Sequence, residues 1–369
     1  MNAALAITTL TFLCATLDRR AFASALARIK HIVPRRPAMP VFESVLLTGS
    51  RDALTLYATD ADTWVGVAIP ATIATPGQML LPARRLADLI KPGAGTVALS
   101  PNRVVVGEAT HRIAAGDAST YPLVPVPPRE CLATMMRATL ARLLRSTTYA
   151  MSNDSTRPHL SAMLIERRAG SLTFVATDGH RLASASFPDD GAGFTLLVGR
   201  RTIEELERMA AAPGGLVRIH STTDRVWFVA ENEFVSGKLV DATFPAWEQV
   251  IPTSHSGRLT LSRPDLQAAL KVVGRTGRGG VKILGDRRAS RVTLSTDDAE
   301  GNLTEVPLMA TFEGDVPTNF GVNGAYLRDL VDGLTADDRE VTFDLGGELD
   351  PIKVDGAHGT VAVVMPMRV

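Results

Sequence analysis

The sequence predicts an α+β protein in which one domain fold is written three times along the chain. The first observation is a motif ending in Thr-Asp that recurs at Thr59, Thr177 and Thr296, 118 and then 119 residues apart. The second is an alternation of amphipathic helical stretches and short strands, which is typical of helices packed on one face of an antiparallel sheet. Three such periods fill the 369 residues, and the period has the length of a domain rather than of a solenoid repeat.

Each period is predicted to contain two helices. In the first of them Phe22, Leu26 and Ile29 recur on one helical face. In the third period Ser262 and Pro264 give a helix start signal. Each period opens with a strand and a helix, and the opening helical segments cover 17–29, 139–149 and 261–273. Each period carries a second helix, at 82–90, 202–211 and 323–334.

About eight strands per period complete the domain. The predicted strands begin at 11–17, continue with 44–47 and 53–58, and close the three periods at 103–109 with 111–115, 226–230 with 234–239, and 352–354 with 360–365. Proline-rich segments at 122–128 and 244–252 mark the boundaries. The predicted domains are therefore 1–129 with a short N-terminal extension, 130–252 and 253–369.

Composition indicates a cytoplasmic protein without a membrane partner. Hydrophobic residues make up 45% and charged residues 21% of the chain, as in ordinary globular cores. The two cysteines, Cys14 and Cys131, indicate a reducing compartment rather than a disulfide scaffold. The apolar start, 3–17, lacks a basic region and runs into a helix pattern, so we do not expect a signal peptide.

The charge distribution indicates a nucleic-acid partner in spite of a net charge of zero. Four of the six predicted helix segments carry an excess of basic residues, so the strands and loops must be acidic. A single basic helix is explained well enough by solvation. The same sign on four helices favours a shared face that attracts phosphate.

Motifs for cofactors and catalysis are weak. The glycine-rich run Gly274–Gly280 lacks the lysine of a phosphate-binding loop and follows a helix, so it reads as a basic turn. The histidines show no spacing typical of metal ligands, and we expect neither a metal nor another cofactor. Asp178 and His180, two apart, could share one face as the diad of a hydrolase. No serine or cysteine nucleophile motif lies nearby, which makes that alternative weak.

Several strings together resemble the bacterial DNA polymerase III β subunit, the replication sliding clamp. They are Thr177–Leu182, Val363–Val369, Arg157–Leu160, Lys238–Asp241, Phe244-Pro245 and Arg36–Pro40. The resemblance covers the whole chain. It implies a non-enzymatic, head-to-tail homodimer that closes into a ring around duplex DNA without regard to sequence and confers processivity. It also implies that DNA polymerase and the clamp loader bind the ring through linear peptides.

The resemblance also implies an apolar peptide pocket between the second and third domains. Its residues are Leu160, Thr177, Gly179, His180, Arg181, Leu182, Pro245, Val250, Val363, Met365, Pro366, Met367 and Arg368. Methionine suits such a pocket because it repacks around different ligands. Without the resemblance, Met365 and Met367 would be read as core residues of a terminal strand.

The DNA-facing residues implied by helix charge and by the resemblance form a second set. They are Arg36, Arg84, Arg85, Arg137, Arg142, Arg157, Arg200, Arg201 and Lys271. Within this set Arg36 and Arg157 are expected to make the best single contacts, because both lie in loops beside the pore of the family.

Three departures from the family pattern leave alternatives open. Gln249 stands where the pocket rim is usually basic, and Trp247 stands where tyrosine is usual. The sequence pI of 7.1 is high for the family. An accessory or mobile-element clamp paralogue that serves repair or translesion polymerases is therefore an alternative. The run Gly274, Arg275, Gly277, Arg278, Gly279 and Gly280 further predicts a weak dimer.

Overall fold

The computed structural model describes residues 13–276 and 279–368. Within these residues the chain forms six α-helices and 25 β-strands. The helices are α1 (Arg19–Ile29), α2 (Ala83–Leu89), α3 (Arg137–Thr147), α4 (Arg200–Ala210), α5 (Arg263–Thr276) and α6 (Gly324–Gly333). None of them is long and apolar enough to cross a membrane.

The strands fall into three consecutive sets. The first set is β1 (Cys14–Asp18), β2 (Ser44–Ser50), β3 (Ala53–Thr59), β4 (Thr63–Thr75), β5 (Gly77–Pro82), β6 (Thr96–Ser100), β7 (Arg103–Val106) and β8 (Ala109–Arg112). The second is β9 (Ala133–Met136), β10 (Ala162–Arg168), β11 (Ser171–Thr177), β12 (Arg181–Pro188), β13 (Phe194–Gly199), β14 (Leu216–Ser221), β15 (Arg225–Val229) and β16 (Glu233–Lys238). The third is β17 (Gly257–Ser262), β18 (Gly280–Asp286), β19 (Arg291–Asp297), β20 (Leu303–Gly314), β21 (Asn319–Asn323), β22 (Glu340–Leu345), β23 (Ile352–Gly356), β24 (Thr360–Val364) and β25 (Pro366–Met367).

Each set follows the same order of one strand, a helix, four strands, a second helix and three strands. This order confirms the predicted α+β class and the repeated domains. Only the two-residue β25 is added at the end of the third set. The predicted domain boundaries at 129/130 and 252/253 lie between the sets and stay predictions.

The chain divides into two compact units, and every named strand pair in both is antiparallel. The first unit comprises the described part of Met1–Arg137 with Glu204–Lys238, and the second comprises Ala138–Ile203 with the described part of Leu239–Val369. The sheet of the first unit runs β8-β7-β6-β1-β4-β16-β15-β14-β9, with β3, β2 and β5 continuing from β4. The sheet of the second runs β13-β10-β11-β12-β24-β23-β22-β17-β20-β19-β18-β21-β25.

The first helices form as their sequence pattern predicts. In α1 the apolar face Phe22, Leu26 and Ile29 is buried. Asp18 begins this helix by accepting the backbone N–H of Ala21 at 2.8 Å, the usual role of an N-cap aspartate. In α5 the equivalent face packs into the core around Leu266 and Leu270.

Some predicted strand bounds were wrong for a local reason. A strand over 103–109 is interrupted because Gly107 takes a positive φ of 60°. β7 therefore ends at Val106 and β8 begins at Ala109. The predicted first strand, 11–17, begins at Cys14 among the described residues, and its Thr11 and Phe12 lie outside them. Gly277 and Arg278 of the predicted weak-dimer segment also lie outside the described residues.

The third copy of the Thr-Asp motif is displaced by one residue. Thr59 pairs with Trp64 and Thr177 with Leu182 at the ends of their strand pairs, but the residue in that place in the third set is Asp297, opposite Leu303. Asp298 then takes the turn position and accepts the backbone N–H groups of Glu300 and Asn302. Matching by Thr296 alone was therefore wrong, because its hydroxyl instead donates to the Gly280 carbonyl.

Candidate functional site

The turn between β11 and β12 is built by its own polar side chains. The Thr177 hydroxyl donates to the Arg181 carbonyl at 2.7 Å and accepts the N–H of Gly179 at 3.2 Å. Gly179 takes a φ of 91°, which favours glycine, and its Cα faces open space. The turn between β3 and β4 repeats this geometry with Thr59 and Ala61.

Asp178 and His180 do not form a catalytic pair. One oxygen of the Asp178 carboxylate accepts the backbone N–H groups of His180 at 2.9 Å and Arg181 at 3.0 Å. Its other oxygen is paired with the Arg181 guanidinium. The imidazole of His180 stacks on Tyr326 with ring centroids 6.5 Å apart. The carboxylate therefore shapes the turn and does not orient the imidazole.

Arg181 joins this turn to helix α6. Its guanidinium pairs with Asp178 at 3.0 Å and with Asp329 at 2.8 Å. It also lies 4.2 Å from the centre of the Tyr326 ring and 5.5 Å from that of Tyr149, within cation–π range. Only 9% of the side chain is exposed. Arg181 therefore supports the turn, and its predicted role in lining the peptide pocket stays a prediction.

An apolar floor lies on the opposite face of β12. Leu182 pairs with Val363 of β24, and both are buried in a cluster with Leu164, Val175 and Leu197. Alternation along β12 places Leu182 and Arg181 on different faces. Leu160 is also buried, at 7% exposure. Leu182 and Val363 of the predicted set therefore form an apolar floor.

Exposed apolar side chains lie on the chain segments that adjoin this floor, next to Ile251 and after Val363. Met365 is 37% exposed, Met367 39% and Val250 45%. The Met365 N–H donates to the His180 carbonyl at 2.9 Å, and Pro366 pairs with Val322 of β21. The terminal segment is thereby fixed beside the turn. Pro245 and Arg368, also predicted, are exposed.

Two aromatic residues of this site were missed from the predicted set. Phe244 and Trp247 pack against the cluster of Leu182 and Val363. The Trp247 indole N–H donates to Glu166 at 3.1 Å, which fixes the ring. Their position inside a proline-rich segment was the available signal, because an apolar ring in such a segment needs a surface to cover.

The comparisons with known proteins agree over most of the chain. Family models of the DNA polymerase III beta subunit match its N-terminal domain at residues 13–119 and its central domain at 134–246. The chain belongs to the DNA polymerase III β-subunit family. It is a DNA sliding clamp for DNA polymerase.

The relatives of this clamp are distant in sequence and close in structure. The beta sliding clamps of Pseudomonas putida and Caulobacter vibrioides are each 28% identical, with 96% of this chain and 99% of the relative covered. The DNA polymerase III subunit beta of Pseudomonas aeruginosa superimposes with a TM-score of 0.86 at 25% identity, covering 96% of this chain and 100% of that chain. The Bartonella birtlesii clamp, solved with griselimycin, gives 0.89 at 26% over 97% and 100%.

Five members of the predicted DNA-facing set of this clamp are exposed. They are Arg36, Arg84, Arg85, Arg157 and Lys271. Arg84 reaches the Pro34 carbonyl at 3.4 Å, and Arg157 lies 3.5 Å from Asp154. Such exposed contacts are weak and do not hold the side chains away from a phosphate.

Other members of that set are engaged inside the clamp. Arg142 donates to the Ser186 and His358 carbonyls, and Arg200 donates to those of Met151 and Ser152. Both residues, like Arg201, are half-buried. Arg142 and Arg200 therefore offer a phosphate at most part of the guanidinium.

Arg137 is removed from the DNA-facing set because it is buried. It is 7% exposed and donates to the Met209 carbonyl at 3.1 Å, near the end of α4. Arg19 donates in the same way to Lys91, just after α2, and Arg263 to Leu334, just after α6. These three arginines each begin the first helix of a set. Each binds carbonyl groups at the C-terminal end of the second helix, where the dipole favours a cation.

Proposed function

We propose that this clamp encircles duplex DNA as a head-to-tail homodimer and tethers DNA polymerase to it. It does so in the cytoplasm, without catalysis and without a cofactor. The observation that carries this proposal is a recurring strand pair. The third strand after the second helix of one repeat (β16 or β24) pairs with the third strand after the first helix of the repeat before it (β4 or β12). That pairing occurs twice within the chain and leaves two matching edges.

Within the chain, β4 and β12 each receive such a strand along their first residues. Trp64 of β4 pairs with Ser236 of β16, and Leu182 of β12 pairs with Val363 of β24. Ser236 and Val363 are each the fourth residue of their strand. The rule therefore joins the first repeat to the second and the second to the third.

The same rule predicts the contact between two copies. Residues Leu303 to Met309 of β20 pair only with β19, and β8 pairs only with β7, among the described strands. Leu303 is the counterpart of Trp64 and Leu182 but is 63% exposed. The fourth residue of β8 is Arg112. We infer that Arg112 of the partner subunit pairs opposite Leu303, and two such contacts close a ring.

Charge supports this register. Opposite Glu305 the register places Thr110 of the partner subunit, whose hydroxyl accepts a bond from Arg103 at 3.3 Å within its own chain. Arg112 pairs with Arg103 across β7 and β8. Glu305 would thus lie beside two guanidinium groups of the partner, in reach of diagonal cross-strand contacts.

The exposed arginines and lysine fit a ring that holds DNA without reading its sequence. Contacts from Arg36, Arg84, Arg85, Arg157 and Lys271 to phosphates would be electrostatic and independent of base identity. Topological closure then supplies retention, so affinity for linear DNA can be low.

Tethering is proposed at the floor of Leu182 and Val363 with its rim of Val250, Met365 and Met367. Exposed methionines on a fixed segment can repack around the apolar side chains of different linear peptides. The clamp loader and DNA polymerase are the proposed sources of such peptides.

Retention on DNA of two topologies tests this function. Clamp loaded on nicked circular duplex should stay bound through gel filtration, and cutting the circle once should release it. Binding to short linear duplex should fall roughly 10³-fold between 50 and 200 mM salt. Equal retention on circular and linear DNA would contradict a closed ring.

An accessory clamp for repair or translesion polymerases is a second candidate, favoured by Gln249 at the rim. Gln249 is exposed and uncharged, so it cannot pair with an acidic peptide residue. Peptides from the replicative and translesion polymerases, compared against wild type and Gln249→Arg, decide between the candidates. If the clamp binds the peptide of the replicative polymerase more tightly, and Gln249→Arg does not change that preference, the accessory-clamp candidate is excluded.

A further inference from the structure

We propose that the segment 121–129 presents a polyproline II docking ridge formed by Leu123, Val126 and Arg129. Its partner would be a protein whose groove combines aromatic side chains with a carboxylate. This surface belongs to the first unit and shares no residue with the peptide site around Leu182. The proposal goes beyond the clamp function and does not depend on it.

The backbone of this segment is restricted to extended conformations. Four of its residues are proline, at 122, 125, 127 and 128. Proline fixes its own φ near −65°, and the residue before a proline is pushed to the β or polyproline II region. Tyr121, before the first proline, has φ −76° and ψ 139°, close to polyproline II values.

Exposure along the segment repeats every three residues, the period of a polyproline II helix. Tyr121 is 5% exposed, and Val124 packs against the cluster of Leu46, Trp64 and Leu80. Leu123 is 94% exposed and Val126 79%, and Arg129 is also exposed. Leu123, Val126 and Arg129 therefore share one edge, about 9 Å apart in succession.

The segment is anchored at several points along its buried edge. Tyr121 meets the Trp64 ring edge-on with centroids 5.8 Å apart. The Trp227 indole N–H donates to the Pro125 carbonyl at 3.3 Å, and His220 bonds the Glu130 carbonyl at 2.7 Å. The ridge is thus preorganised, which lowers the entropy cost of binding.

The chemistry of the ridge defines the kind of partner. Polyproline II segments are recognised by grooves lined with aromatic residues. Arg129 has no ion-pair partner within the described residues, so it can pair with a carboxylate at the end of such a groove. Because two apolar anchors are followed by one cation, the partner's groove can bind the segment in only one orientation.

Photocrosslinking in the cells that make this clamp tests the ridge. A photoreactive residue is placed at 123 or 126 in the full chain, with position 349 as the control because Leu349 is also an exposed apolar residue, at 55%. A synthetic peptide of residues 121–131 is added as competitor, with its Arg129→Glu version as the matched control.

The expected result is the same adduct from a photoreactive residue at position 123 and at position 126, and no adduct from position 349. The wild-type peptide should reduce the yield of this adduct at least about tenfold, and the Arg129→Glu peptide should not reduce it. Exchanging one groove carboxylate of the crosslinked protein for arginine should restore its adduct with the Arg129→Glu clamp. No adduct, an adduct with a second copy of the clamp, or an adduct that the peptide leaves unchanged would overturn the proposal. Retention of Leu123→Ser/Val126→Ser on circular DNA, measured in parallel, keeps a failure here separate from a failure of the clamp function.

Discussion

Two residues in equivalent turns carry the same backbone conformation with unequal ease. Gly179 has a φ of 91° and Ala61 a φ of 93°. Each donates its N–H to the hydroxyl of the threonine two residues earlier. A positive φ costs an L-residue roughly 1–2 kcal/mol relative to glycine. The first turn therefore holds a strain that the second does not.

Exchanging the two residue types should have opposite effects. Gly179→Ala is expected to lower the free energy of unfolding by about 1 kcal/mol because it introduces this strain. Ala61→Gly should leave it unchanged or raise it by less than about 1 kcal/mol, since the relieved strain is partly offset by a more flexible unfolded chain. Urea unfolding of both variants measures the difference. Loss of stability in both would show that the turns are not equivalent.

Arg137 shows at the same scale how a basic residue can be structural. Its guanidinium is buried and donates to the Met209 carbonyl. Arg137→Met should lower the free energy of unfolding by about 1.5–3 kcal/mol, the range for hydrogen bonds to charged groups. Arg145→Met, at an exposed position of the same helix, is the matched control and should change it by less than about 0.5 kcal/mol. Equal effects in thermal unfolding would contradict a capping role.

The elements themselves were largely predictable because their signals are local. The face of Phe22, Leu26 and Ile29 has a helical period, and all six helices lie where the sequence predicts them to within a few residues. The strand break at Gly107 was missed because one glycine fits either a strand or a turn. The displaced third motif was missed because hydrogen bonding, and not residue identity, sets the register at Asp297 and Asp298.

The functional sites were less predictable at this scale, because a side chain's partners come from distant segments. Nothing near Arg181 in sequence indicates Asp329 or Tyr326, which hold its guanidinium. The burial of Arg137 did have a signal. Arg19, Arg137 and Arg263 each occupy the first position of the first helix of their repeat. An arginine repeated at one position of three domains favours a structural role over a contact to DNA.

The prediction for the tethering site concerns Met365 and the strand β25 that follows it. Met365→Ala/Met367→Ala, or deletion of residues 365–369, should abolish binding of a polymerase C-terminal peptide. Burial of two or three apolar anchors at about 1.5–3 kcal/mol each, less the ordering costs, indicates micromolar affinity in the wild type. Fluorescence anisotropy measures it, with Met136→Ala as a control at another exposed methionine. Unaltered affinity in the deletion would place the peptide elsewhere.

At the scale of the whole molecule, closure of the proposed ring depends on edges that the described strands of one chain leave unpaired. The two internal junctions are covered by apolar clusters around Trp64 and Leu182. Their counterpart in the third repeat, Leu303, is exposed, and Glu305 follows on the same face. The junction between copies is therefore expected to be the most polar of the three and the first to open in salt.

A charge exchange across this junction tests the proposed register. Arg112→Glu should weaken the dimer at least about tenfold because it places two like charges on adjoining strands. Adding Glu305→Arg should recover much of the loss, since the pair is restored with its signs reversed. Sedimentation over a dilution series at low and high salt measures both, and Arg20→Glu, at an exposed helix position, serves as the control. If the double variant dimerises no better than Arg112→Glu alone, Arg112 and Glu305 do not meet, and β8 pairs with β20 in another register or not at all.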